Sequence, residues 1–283
     1  MKNHLKKSVL GTVGVLVAAI GAAHATSLTI TVENFQTNSD EGNGLSLTPV
    51  WFSFLDSSST FDAFNVGEAA SAALEQIAEV GQFGLLDDAA EAAQADAITG
   101  AVTAPGGVAG TIDPGESGSI VVEVDPFAND WFQFLSMVVP TNDTFVGLNN
   151  PVDLFDDNGD FIGEQVFDIT RGRVYDSGTE ENILLDGAAF LAGVDGSLGT
   201  ETVDGVIGPA IRTDFTRELL ADGQTFLDPL LARAFLGSPD PDILARVTVS
   251  LTPEAPVPVP GAALLFGSIF AGGAAMRSKR RKA

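Results

Sequence analysis

Two stretches of the sequence place oxygen ligands where a hard cation could use them. In Ser136-Met137-Val138-Val139-Pro140-Thr141-Asn142-Asp143-Thr144-Phe145-Val146-Gly147, an apolar strand runs into a polar turn and then resumes. Downstream, Tyr175-Asp176-Ser177-Gly178-Thr179-Glu180 sets two carboxylates four residues apart around a glycine turn. Asp143, Asp176 and Glu180 could converge on one ion such as Ca2+, which takes six to eight oxygens and accepts backbone carbonyls and waters to complete its shell. Spacing alone does not separate such a site from a solvated acidic surface, because the chain has 38 acids and close pairs are common.

Other chemistries are excluded by where the rare residues sit. His4, His24, Lys2, Lys6 and Lys7 fall in the first 25 residues, and Arg277, Lys279, Arg280, Arg281 and Lys282 crowd the last seven. Between them there is no Lys, His or Cys, and six arginines stand against all 38 carboxylates, a surplus of 32 negative charges. That removes the usual zinc, copper and Fe-S ligand sets, Ser-His-Asp and Cys-His couples, Schiff bases and P-loops. A nucleic-acid partner is not expected either, since phosphate affinity needs clustered cations. A glycosidase needs two carboxylates beside a cleft, one of them in an apolar pocket. Nothing marks such a pair, so the chain is not expected to be an enzyme.

Asp156-Asp157-Asn158-Gly159-Asp160 has a superficial likeness to an EF-hand loop, but glycine stands at position 4 instead of 6. It reads better as a type I′ hairpin turn. Asn142-Asp143-Thr144 fits an N-glycosylation sequon.

Strands must position these residues. Ser27 to Glu33, Val50 to Leu55, Ser119 to Val124, Trp131 to Val139, Gln165 to Ile169 and Ile243 to Leu251 are short runs rich in Val, Ile, Thr and Phe, bounded by Gly, Pro and Asp. They argue for a mainly β, antiparallel sandwich. Helical insertions are expected at Glu68 to Glu79, at Leu85 to Ile98 and within Thr213 to Leu236, with apolar residues at helical spacing in each. Asp113-Pro114-Gly115 is a type I or II turn signal.

The ends read as addresses. Residues 1–25 combine a basic start, the apolar Val9 to Ala22 and small residues at Ala23 and Ala25, the pattern of a secretory signal cleaved before Thr26. One domain is expected over 26–252. Residues 253–260 form a linker spaced by Pro253, Pro256, Pro258 and Pro260, and 261–283 comprise an apolar run, Gly261 to Met276, and a basic tail. Sixteen residues give about 24 Å of helix, and the terminal cations favour the cytoplasmic side.

This tail resembles the PEP-CTERM sorting signal of Gram-negative bacteria, with Val259 where that pattern usually has Glu. The resemblance implies transient inner-membrane anchoring, removal by an exosortase-like sorting protease and delivery to the envelope or the exterior among exopolysaccharide. The stretches SMVVPTNDTFVG and YDSGTE, with Phe64 to Gly81 upstream, resemble the spondin domain, the N-terminal module of F-spondin and mindin, over a span from the Leu28 strand to the Val249 strand. That likeness implies a β-sandwich with calcium held at one end by Asp143, Asp176 and Glu180. It also implies an adhesive or structural role in the extracellular matrix. Asp186 to Pro241 matches no pattern of the family and reads as an insertion. A calcium-dependent lectin is the alternative, with Trp51, Trp131 or Tyr175 exposed near the site; a glycoside hydrolase is less expected. The acidic surface also suits screening by salt or divalent cations.

Overall fold

The structure, a computed structural model, describes residues 25–36, 45–106, 110–181, 205–210 and 243–253. All its elements belong to one unit, which ends at Leu251. The strands are β1 (Thr26–Asn34), β2 (Ser46–Leu47), β3 (Val50–Leu55), β4 (Ile98–Val102), β5 (Ser117–Val124), β6 (Trp131–Val139), β7 (Thr144–Gly147), β8 (Val152–Asp153), β9 (Gln165–Thr170), β10 (Val174–Asp176), β11 (Gly208–Pro209) and β12 (Ile243–Leu251). The helices are α1 (Ala72–Val80) and α2 (Gly84–Ala93). Four strands in the order β5-β1-β12-β9 make one antiparallel sheet; a second runs β11-β10-β7-β6-β3-β4, with β2 and β8 both pairing β6. The protein is thus mainly β, an antiparallel sandwich carrying few helices.

Burial explains the two kinds of apolar run. In β1 buried residues alternate with half-buried ones, because only one face meets the core. In β3 and β6 nearly every residue is buried, and the pattern is continuous. Phe52, Phe54, Phe132 and Phe134 face the other sheet, where Leu28, Ile30, Val32, Val247 and Val249 meet them. Trp51, Leu135, Phe145 and Tyr175 point to the opposite face, where Leu74 and Ile77 of α1 and Leu86 of α2 make a second core. The sandwich therefore carries a helical layer over the sheet that holds β7 and β10.

Each helix has a local cause. Ser71 caps α1 by accepting from Leu74 N–H at 3.2 Å, and the chain leaves the helix through Gly81, whose N–H bonds Ile77 C=O. The second helix stops at Ala93, short of the expected Ile98. Gln94 turns instead to accept from Asp56 N–H and to donate to Ala128 C=O, and Ile98–Val102 adds to β3 as an edge strand. Pairing along β3 outweighs the helical preference of the alanines before it. Asp113 accepts from Glu116 N–H across a turn whose Gly115 has φ +81°, as a type II turn requires. The Asp156 loop differs from the expected two-residue turn. Asp156 and Asp160 close a longer loop in which Gly159 takes φ +78°, while the Asp156 carboxylate accepts from Asn158 and Asp160 N–H. The stretch Thr213 to Leu236, the signal region 1–24 and the tail from 254 lie outside the described residues. Among the described residues no helix is long and apolar enough to cross a membrane.

Candidate functional site

The three acids singled out in the sequence are brought to one end of the larger sheet. Strand β6 ends at Val139, and Thr141 turns the chain, its N–H donating to Val138 C=O and its hydroxyl oxygen accepting from Thr144 N–H. This turn delivers Asp143 to the start of β7. Strand β10 lies antiparallel to β7 with Asp176 opposite Thr144 and Tyr175 opposite Phe145. The residues after Asp176 then fold back over Asp143.

Asp143 is fully buried and one of its oxygens organises that fold-back. Its Oδ2 accepts from Ser177 Oγ at 3.1 Å, Thr179 N at 3.2 Å and Glu180 N at 3.1 Å, and its backbone C=O accepts from Ser177 N–H. Asp176 Oδ1 accepts from Gly178 N–H at 2.8 Å. Gly178 sits at φ +72°, and a Cβ there would lie 2.6 Å from the Val206 carbonyl oxygen, so only glycine closes this turn without strain. Asp176 and Glu180 are both buried.

The electrostatics of this end are unbalanced. Burial first, and then the neighbouring Asp176, hold the Asp143 carboxyl up at about 7. The Glu180 N–H, the Ser177 hydroxyl and the Thr179 N–H oppose the rise. Asp143 Oδ1 is buried with no hydrogen-bond partner. An orphaned carboxylate oxygen beside a second carboxylate calls for a proton or a cation, so the donor set fits a hard, oxygen-seeking ion. Among the described residues, however, no group of three or more His, Cys, Asp or Glu side chains is arranged to hold a metal. Asp176 lies near enough for its charge to push the Asp143 carboxyl up. Glu180 joins them through its backbone N–H on Asp143.

A model of the Spondin_N family matches residues 49–191, half of the chain and the whole stretch from β3 through the Glu180 turn. The chain belongs to the Spondin_N family. No curated protein matches it. The Spondin_N match is narrower than the span from the Leu28 strand to the Val249 strand, since β1 and β12 fall outside it. It also reaches five residues past Asp186 into the expected insertion. Spondin-like domains are generally extracellular, which accords with a secreted chain.

Several neighbouring residues carry more than their types suggested. Ser177 ties the two stretches together through its hydroxyl. Asn142, part of the sequon, is buried and donates to Glu181 C=O, so it braces the turn and is not presented for modification. Trp51 and Tyr175 are buried, and Trp51 Nε1 donates to Asp87 Oδ1 at 2.8 Å. Tyr175 packs against Phe145 and Phe64 with tilted rings at centroid distances of 5.4 and 4.9 Å. Trp131 is half-buried.

Proposed function

We propose that this Spondin_N protein is a secreted, calcium-binding module with an adhesive, structural and non-catalytic role at the cell envelope or in the extracellular matrix of a Gram-negative bacterium. The observation that supports it most is the buried Asp143–Asp176 pair at the sandwich end, with Asp143 Oδ1 unpartnered. Ca2+ would take that oxygen, an oxygen of Asp176, and Glu180 after a side-chain rearrangement, with carbonyls and water completing its shell. Its charge would offset the two aspartates and clamp the β6–β7 turn to the segment after β10. That clamp would order one end of the sandwich, where loops commonly recognise partners.

The partners on this reading are exopolysaccharide or matrix components, met outside the cell after the PEP-CTERM-like tail has anchored the chain transiently and an exosortase-like protease has removed it. A lectin role draws no support from Trp51 or Tyr175, which are packed inside.

Tyr175, the single tyrosine of the chain, adjoins Asp176 and offers an optical test. Tb3+ added to the full chain should give luminescence sensitised by excitation of the aromatic residues, and Ca2+ should quench it stoichiometrically. An Asp143→Asn variant should show neither effect. Sensitised emission that is absent, or unchanged in the variant, contradicts the reading.

A further inference from the structure

An open sheet edge offers a row of backbone N–H and C=O groups to any strand that can pair with it, and proteins blunt such edges with short strands, Pro, Lys or a covering element. Three of the edges here are blunted. β11 is two residues long, and one of them is Pro209. β4 is short, mostly half-buried and packed beside α2. On β9, Arg173 folds back and its Nη1 donates to Asp168 C=O at 3.1 Å. β5 carries no such device. It is eight residues long, pairs β1 in one unbroken register and contains no Pro or Lys, and among the described residues no strand pairs its other side.

The ladder shows which groups of β5 face out. Asn34 N–H donates to Glu116 C=O just before β5 begins, and opposed residues of an antiparallel pair alternate between bonded and non-bonded. Gly118, Ile120 and Val122 therefore turn their backbone groups toward β1, while Ser117, Ser119, Val121 and Glu123 turn theirs outward. The side chains of those four are exposed, and Ile120 and Val122 pack against the core. A formal charge of -24 makes two copies of the chain repel, so they meet most readily where acids are sparse. Glu123 is the one charged residue of β5.

We propose that this edge joins two copies of the chain, β5 against β5, about a twofold axis at Ile120. Antiparallel pairing about that axis sets Ser119 opposite Val121, and Ser117 opposite Glu123, of the second copy. The outward backbone groups of all four residues then find partners, and no two acids face each other. The two four-stranded sheets continue as one. Because the pairing occupies the same edge in both copies, it closes at a dimer.

Sedimentation equilibrium of the full chain at about 0.15 M salt, where repulsion between copies is screened, should show a reversible monomer–dimer equilibrium in the micromolar range. Val121→Pro removes an outward N–H, a place where an edge strand tolerates proline, and should leave a folded monomer. Val166→Pro is its control, since Val166 is an exposed valine on β9, the opposite edge of the same sheet, and this variant should dimerise like wild type. Ser117→Glu sets like charges opposite each other twice across the interface and should weaken the dimer by about threefold or more, and adding Glu123→Lys should restore it. That charge swap decides the case even if either proline variant does not fold. A wild-type chain that stays monomeric, or that grows past the dimer with rising concentration, overturns the proposal. So does a folded Val121→Pro chain that still dimerises, a folded Val166→Pro chain that does not, or a charge swap that leaves the dimer as weak as Ser117→Glu alone.

Discussion

At Asp62 the chain carries a second raised carboxyl, away from the strand-end acids. Its half-buried setting, opposed by the Phe64 N–H and reinforced by Glu68, holds it up at about 6. In the unfolded chain an aspartate titrates near 3.9. Between about pH 4 and pH 6 the native protein therefore holds a proton that the unfolded chain has lost, and this residue's contribution to stability falls as pH rises through that window. Urea denaturation of wild type and Asp62→Asn at about pH 4 and about pH 6.5 should show a smaller loss on raising the pH in the variant. Equal pH dependence in the two would mean that Asp62 is solvated like any surface acid. The same physics acts more strongly at Asp143, where burial is complete. The residue types of both stretches were readable in the sequence, and so was the absence of any nitrogen or sulfur ligand to compete with them. Which oxygens lack partners was not readable, because it depends on backbone N–H groups of Thr179 and Glu180 that satisfy one side of Asp143 and leave the other.

Among the elements, those with a strong local signal are the ones the sequence disclosed. Val50–Leu55, Trp131–Val139 and Ile243–Leu251 begin and end where their apolar runs do. Strand β4 follows an alanine-rich segment and was not legible there, since its pairing with β3 is a long-range choice that local propensity does not record. Strands β7 and β10 are only four and three residues long, and their pairing juxtaposes Asp143 with the Asp176 turn. That juxtaposition came from family resemblance, not from periodicity. The turn after β10 can be tested on its own. Gly178→Ala places a side chain in left-handed backbone against the Val206 carbonyl and should cost about 2 kcal/mol or more of unfolding free energy in urea titration. A cost below about 0.5 kcal/mol would show that the turn relaxes without strain and does not hold Asp143 rigidly.

For the whole molecule, charge sets the terms. Arg173 and Arg246, the arginines whose side chains are described, both engage Asp168, one through its backbone carbonyl and one through its carboxylate at 2.7 Å. Such a rim ion pair contributes little, about 0–1 kcal/mol, and acids outnumber arginines widely over the chain between its two ends. Many exposed carboxylates attract divalent ions diffusely, whereas a built site at the sandwich end must saturate. The two are separable at about 0.15 M monovalent salt, where the Debye length of ~8 Å screens the diffuse term. The most direct measurement is calorimetric titration of Ca2+ into the chelator-treated full chain at that salt, beside the Asp176→Ala, Glu180→Ala double variant. The account predicts one saturable site per chain in wild type and none in the variant. No saturable site in wild type, or equal binding in both, would contradict it.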